Sequence, residues 1–276
     1  MIVNRPLMRY YGGKWRLAPW IIENMPAHRC YTEVFGGAAS VLLRKPRCYS
    51  EIYNDLDGEI VNVFRVLRNP SQARDLVRSI RLTPYAREEF ELSYITDGDP
   101  VEQARRTLFR SAAGFASGAQ LQYGTGFRSN VTRPHSTPAG GWRNMPSVLE
   151  QIIDRLCGVI IEHEPALNVL RRYDGPETLH YVDPPYVYET RNARNAGSTY
   201  RHELTDEQHI ELAIALHGLR GFVMLSGYSC PLYDDLYSKW TRLNHSSHAD
   251  GARDRTECLW INRPIQPTLF YEDTHD

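Results

Sequence analysis

The sequence predicts an α/β fold built on a parallel sheet, with a mostly helical segment inserted into it. Three observations carry that prediction. Two strand-then-helix units lie in roughly the first 70 residues, a stretch from about 65 to 157 holds helical patterning without a strand, and strand–helix alternation then resumes. Such alternation belongs to parallel sheets, because each parallel neighbour must be reached by a crossover.

The elements follow in order. Tyr31 to Phe35 is β-prone and runs into Gly36-Gly37-Ala38-Ala39-Ser40 and the apolar Val41-Leu42-Leu43, which predicts a strand, a tight turn and the start of a helix. Cys48 to Tyr53 alternates as a second strand, Asn54 to Gly58 closes it, and Ile60, Val61, Val63, Phe64 and Leu67 recur at helical spacing. After Asn69-Pro70 helices alone are expected, one with Thr83-Pro84 as N-cap and first-turn residue and one from about Pro100 to Ala113. Gly114 to Pro146 is rich in Gly, Ser, Thr, Asn and Pro and exceeds the ~12–15 residues of an ordinary connection, so it reads as a functional loop. Ser147 to Glu150 has the pattern of a capping box for a helix reaching Cys157. Val159 to Ile161 and Leu179 to Val182 read as buried strands, Thr205 to Gln208 caps a helix ending at His217, and Phe222 to Leu225 and Leu259 to Ile261 complete the strands. The expected division is one unit of residues 1–64 plus 158–276, interrupted by an insert at 65–157.

Composition limits the function classes. With 276 residues, 42% hydrophobic and 24% charged, the chain can bury a core and is neither a disordered tail nor a coiled coil. A net charge of −1 excludes a globally basic nucleic-acid binder. Locally, Gln103 to Leu149 holds Arg105, Arg106, Arg110, Arg128, Arg133 and Arg143 and no acidic residue, which predicts a basic patch. Of the 32 basic residues only Lys14, Lys45 and Lys239 are lysines, a bias that base composition explains as well as function does. The five cysteines are odd in number and unpaired in spacing, so they read as small buried hydrophobes in a reducing cytoplasm, with no zinc site. His245 and His248 read as solvated loop histidines. No apolar run of membrane-spanning length and no signal peptide is seen.

The chemistry-bearing residues sit where strands end. Asp183-Pro184-Pro185-Tyr186 follows the strand Leu179 to Val182, at the edge where open α/β sheets bind ligands. Two prolines remove two backbone donors, so the Asp183 carboxylate and the Pro184 carbonyl can both accept hydrogen bonds from one amino group, while Tyr186 offers a π-face to a base. A proline-stiffened turn with an Asx cap explains the same four residues equally well. The Gly36-Gly37 turn lets backbone approach a cofactor but lacks the full dinucleotide fingerprint, and Asp55 stands where such folds grip a ribose hydroxyl, or simply caps the next helix. Tyr10-Tyr11-Gly12-Gly13-Lys14 resembles a piece of a phosphate loop without the Walker spacing.

Taken in order, Tyr-Tyr-Gly-Gly-Lys (10–14), Glu-Val-Phe-Gly-Gly-Ala-Ala-Ser (33–40), Tyr-Asn-Asp-Leu-Asp (53–57), Tyr-Val-Asp-Pro-Pro-Tyr (181–186), Leu-Ser-Gly-Tyr (225–228) and Glu-Cys-Leu-Trp-Ile-Asn (257–262) resemble the Dam-type DNA adenine-N6 methyltransferases, the alpha-group, D12 class. The resemblance covers nearly the whole chain. It implies a Rossmann-like, S-adenosylmethionine-dependent methyltransferase sheet with an inserted target recognition domain at 65–157. It also implies that Tyr10, Lys14, the backbone of Phe35, Gly36, Gly37 and Ala38, Asp55 and Glu162 hold S-adenosylmethionine. One departure stands out: the family often has a second glycine two after the first, where this chain has Ala38 and Ala39.

The implied reaction is direct, in-line methyl transfer to N6 of an adenine flipped out of double-stranded DNA. Asp183, Pro184, Pro185 and Tyr186 form the catalytic set, with no metal and no covalent enzyme intermediate. Arg128, Asn130 and Arg133 are candidates for DNA contact, and 188–200 for a segment closing over the base. A monomer or weak dimer is expected. Alternatives are a cytosine-N4 methyltransferase, whose tetrapeptide usually begins with Ser, a glutamine-N5 methyltransferase, usually with Asn there, a silent DNA-binding protein of the same fold, and a nicotinamide oxidoreductase, for which the glycine fingerprint is missing.

Overall fold

Short strands buried along nearly their whole length build the sheet. The computed structural model describes residues 3–115, 125–132, 137–190, 201–248 and 254–263. Its strands are β1 (Cys30–Glu33), β2 (Ser50–Asn54), β3 (Val159–Glu162), β4 (Thr178–Val182), β5 (Phe222–Tyr228), β6 (Thr241–His248) and β7 (Asp254–Ile261). They form one sheet in the order β3-β2-β1-β4-β5-β7-β6. The first five are parallel, and β7 runs antiparallel to both β5 and β6. Strand order reverses between β1 and β4, which opens a crevice at their carboxyl ends.

Helices cover both faces, as a sheet buried on two sides requires. They are α1 (Ala18–Glu23), α2 (Gly58–Arg68), α3 (Pro70–Leu82), α4 (Arg87–Leu92), α5 (Pro100–Ala113), α6 (Pro138–Arg143), α7 (Met145–Leu156), α8 (Ala166–Tyr173), α9 (Asp206–His217) and α10 (Pro231–Leu236). Val34, Ile52, Val182, Val223, Leu225 and Trp260 pack with α8–α10. Their strand neighbours Tyr31, Tyr53, Tyr181, Met224 and Leu259 pack on the opposite side, in one continuous core with Leu76, Phe109, Leu149 and Ile152 of the insert. Residues of the expected insert thus share the apolar core of the sheet, and α2 continues through the expected cut at 64/65. A buried charge cluster ties the same parts: Arg155 of α7 donates to both carboxylate oxygens of Glu51 at 2.6 and 2.9 Å, and Lys45 donates to Glu51 at 2.7 Å.

Local signals explain the elements that match expectation. The Thr205–Gln208 capping box heads α9, and α5 spans Pro100–Ala113 with Asp99 accepting from the amide of Val101. Four expectations are corrected. Residues 37–44 form successive turns instead of a helix, because Ala39 sits at φ +52° and the Leu42 amide is diverted to Glu33 Oε2 at 2.8 Å. Thr83 closes α3 as its C-cap, its hydroxyl donating to the carbonyl of Ser79, and does not start a helix. No capping box forms at 147–150: α7 starts at Met145, and the Ser147 hydroxyl donates back to the Asn144 carbonyl. The histidine pair lies in strand β6, not in a loop, with His245 against Trp20 at 4.9 Å between ring centres. Polar throughout except Leu243, β6 has no hydrophobic period; pairing to β7 alone makes it a strand.

Among its described residues, the expected long loop holds a bridge from Gly114 to Phe127 and helix α6. Cys157 is exposed, unlike the buried Cys230 and Cys258, and all five cysteines are free. Among the described residues no helix is long and apolar enough to cross a membrane.

Candidate active site

A cavity of about 270 Å³ opens at the carboxyl ends of β1, β2 and β4. Its floor is the Gly36-Gly37 turn. A Cβ on Gly36 would meet the Tyr53 ring at 2.2 Å, and one on Gly37, at φ +48°, would meet the Tyr10 ring at 2.4 Å, so both must be glycine. Tyr53 fixes the turn by donating its hydroxyl to the Gly37 carbonyl at 2.7 Å. Asp55, at the end of β2, accepts from the Gly37 amide at 2.7 Å and from the Asp57 amide at 2.8 Å. Tyr10, Lys14, Phe35, Ala38, Asp183 and Pro185 complete the wall on this side, and Arg201, His202, Glu203 and Leu204 close the other. The alanine departure has a conformational consequence: Ala39 takes the left-handed region that glycine adopts freely.

Asp183 is the focus of the polar contacts. Its Oδ1 accepts from the Ser226 hydroxyl at 2.7 Å, and its Oδ2 pairs with Lys14 Nζ at 3.0 Å. Ser226 in turn lies 3.1 Å from the hydroxyl of Tyr181. Pro184 is buried beside it. Tyr186 is buried too; its hydroxyl donates to Glu257 Oε2 at 2.7 Å, Lys14 Nζ sits 4.8 Å above its ring centre, and Tyr228 packs edge-on at 4.7 Å.

The site is rich in buried carboxyl groups. Burial pushes the Glu33 carboxyl up to about 8, against hydrogen bonds from the Tyr31 hydroxyl and the Leu42 amide. Burial likewise raises Asp55 to about 6, against the two amides it accepts from. Asp183 is raised by burial, with Lys14 working in the opposite direction. For Lys14 burial disfavours the ammonium, but Asp183 and then Glu257 outweigh it, and the lysine stays protonated above its usual range. Asp183 and Glu257 thus share the Lys14 ammonium, an environment that suits a ligand with a positive centre.

The structure brings Tyr10, Lys14, Phe35, Gly36, Gly37, Ala38, Asp55, Asp183 and Pro185 to one cavity, with Pro184 and Tyr186 alongside. Glu162 does not line this cavity, and its carboxylate accepts from Tyr173 at 2.6 Å and Arg172 at 3.1 Å. The basic patch is corrected. Arg105 pairs with Glu89 and Glu102, Arg106 with Asp97 and Glu102, and Arg110 with Glu59, all three buried; acids outside the 103–149 window neutralise them. Arg128 donates to the Ala112 carbonyl at 3.0 Å, and exposed Asn130 accepts from the amide and hydroxyl of Thr132. Arg133 lies outside the described residues, as do 191–200 of the expected closing segment. Sequence reading gave no role to Glu33, Arg201, Ser226 or Glu257. The signal for three of them was position, since Glu33 ends β1, Ser226 lies near the end of β5, and Glu257 faces Tyr228 across the β5–β7 ladder.

Residues 10–249 match the family model described as D12 class N6 adenine-specific DNA methyltransferase. A type II methyltransferase of Lactococcus lactis subsp. cremoris is 26% identical over 258 residues, covering 84% of this chain and 84% of that protein. A type II methyltransferase of Methanocaldococcus jannaschii is 22% identical, covering 84% and 88%. The DNA adenine methylase of Escherichia coli K12 is 24% identical over 229 residues, covering 78% and 77%.

Proposed function

The chain belongs to the D12 class N6 adenine-specific DNA methyltransferases, and from that premise we propose how its own residues divide the work. It methylates N6 of adenine in DNA, from a methyl donor of the S-adenosylmethionine type; the cytosine-N4 and silent-fold readings are not favoured.

For S-adenosylmethionine itself, the fit rests on the bare Gly36-Gly37 backbone, kept free of Cβ by Tyr10 and Tyr53, and on the charge of the wall. Tyr10 and the backbone of Phe35 to Ala38 would hold the bound molecule, and Asp55 would accept from its ribose hydroxyls. When bound, it supplies an electrophilic methyl group on a positive sulfur. Asp183, kept ionised by Lys14, would put negative charge on the wall toward that positive centre.

Asp183 accepts a hydrogen bond from the adenine amino group, and the Pro184 carbonyl accepts a second, which frees the nitrogen lone pair for attack. Lys14 and Ser226 fix the two oxygens of Asp183, and Lys14 keeps them charged. After transfer the nitrogen carries one proton too many, and an Asp183 carboxylate of raised proton affinity can receive it. Tyr186 stacks on the extruded base, offsetting part of the few kcal/mol that flipping costs.

The insert from 65 to 157 serves target recognition, with Arg128, Asn130 and Arg133 as its DNA contacts. The buried Arg105, Arg106 and Arg110 shape it instead of touching DNA. The chain acts on double-stranded DNA as a monomer or weak dimer in the cytoplasm, without a metal; five free cysteines support that compartment. The type II designation of two relatives supports restriction and modification as its setting.

The observation that carries this reading is Asp183 held between Lys14 and Ser226 at the cavity. Unmethylated plasmid and S-adenosylmethionine, followed by nucleoside mass spectrometry, should give N6-methyladenosine. Asp183→Ala should lower the rate by about 1,000-fold while methyl-donor binding persists. Undiminished methylation by that variant would overturn the assignment.

A further inference from the structure

One buried carboxylate of the site has no part in the chemistry proposed above. Glu257 is 8% exposed, and a buried charge is costly unless it is paired and hydrogen-bonded. It stands on β7 opposite Tyr228 of β5, so the antiparallel ladder delivers it behind the tetrapeptide. Its Oε2 accepts from the Tyr186 hydroxyl at 2.7 Å.

Three of the contacts of Tyr186 differ in kind. Lys14 lies over its face and Tyr228 meets it edge-on, and both contacts permit the ring to slide or tilt. The hydroxyl bond is directional and pins the end of the ring remote from the backbone. A carboxylate is suited to that task because it only accepts, so the phenol must donate, and a charged acceptor makes a shorter and stronger bond than a neutral one. An apolar residue would fill the space at lower desolvation cost but would leave the phenol oxygen buried without this partner.

We propose that Glu257 is a positioning residue for base capture: by fixing the phenol oxygen of Tyr186 it sets the ring plane on which the extruded adenine stacks beside Asp183. This rests on the reading of 183–186 as the catalytic tetrapeptide. Glu257 touches neither the base nor the methyl donor; it acts through Tyr186, and through the charge it adds beside Lys14.

The test uses the full chain, unmethylated plasmid and S-adenosylmethionine, with kcat, KM for plasmid and the methyl-donor Kd measured for each variant. Glu257→Ala should lower kcat by about tenfold or more, since misplacing a reacting group costs up to ~100-fold. KM for plasmid and the Kd should stay within about twofold, as expected when only transition-state interactions are lost. Glu257→Gln should recover most of the loss, because its amide oxygen can still accept from the phenol. Tyr186→Phe should lower kcat, and adding Glu257→Ala to it should cost little more, because both remove the same bond.

Parental kcat in Glu257→Ala, a loss confined to KM, or additive losses in the double variant would each overturn the proposal. Should Glu257→Ala fail to fold, Tyr186→Phe and Glu257→Gln decide: a tyrosine variant at parental kcat overturns it, and one well below the glutamine variant supports it. Asp183→Ala run alongside separates the two failures. If that variant still forms N6-methyladenosine, the tetrapeptide reading has failed, not the role of Glu257.

Discussion

Two buried charge clusters in this molecule each contain one of its few lysines. At the amino end of β2, Lys45 and Arg155 both bind Glu51, two cations on one carboxylate, and every partner is in direct contact. Burial disfavours that carboxylate, but Arg155 and Lys45 outweigh it and hold Glu51 below the ordinary glutamate range. At the carboxyl end of the sheet, Lys14 pairs with Asp183 and also feels Glu257, two carboxylates on one ammonium, and Asp183 is raised by burial all the same. The first cluster is complete and has no face on the cavity. The second has excess negative charge and opens onto it. A saturated cluster holds elements together, whereas an unsaturated one keeps unspent interaction for a ligand.

The comparison is broken most forcefully at the saturated end. Arg155→Ala leaves Glu51 short of a partner and should cost about 3–5 kcal/mol, measured by urea unfolding, while the rate per folded molecule stays at the parental value.

Lys14→Met should do the reverse, changing stability less and lowering kcat by about 100-fold. Without the ammonium, burial protonates Asp183 and removes its acceptor. A raised carboxyl ionises only above its own pKa, so part of the lost rate should return as pH rises. A loss that is flat in pH would argue against this cause.

Glu33→Gln sharpens the contrast through linkage. The folded-state pKa is raised from 4.5 to about 8. The stability this group contributes is therefore complete below about pH 4.5 and lost as pH rises through about 8. The glutamine variant does not titrate there and keeps both hydrogen-bond acceptances at one oxygen. It should be more stable than the parent by about 1–3 kcal/mol at pH 9, with little difference at acid pH. Equal unfolding midpoints at pH 9 would contradict a buried, ionising Glu33.

Arg81 and Glu150 provide the smallest effect. Their pair at 3.3 Å has both side chains more than half exposed. Arg81→Ala should therefore change stability by less than about 1 kcal/mol. A larger change would mean that exposure is not what separates the weak pairs from Glu51–Arg155.

Much of the site was legible one segment at a time. The Asp-Pro-Pro-Tyr run after an apolar strand, the Gly-Gly turn after another, and Asp55 at the end of a third all stand where the sequence put them, because a strand followed by a turn is a local event. The Thr205 capping box was legible for the same reason, since its bonds span three residues. The insert's arginines misled: a window of 47 residues without acids looked basic, but Glu59, Glu89, Asp97 and Glu102 reach in from outside it. Charge counted along the chain does not measure charge in space.

The sequence by itself determined the α/β architecture and the residues at the carboxyl edge, for these follow from hydrophobic pattern and turn chemistry over a few residues. Only the tertiary structure decided which of those residues meet. Ser226 reaches Asp183 across 43 residues and Glu257 reaches Tyr186 across 71, each delivered by strand pairing. Polar β6 became a strand only because β7 offered its edge, and Glu162 was turned from the cavity by Tyr173 and Arg172. Pairing between distant segments is set by their combined burial and hydrogen bonding, which no single segment contains.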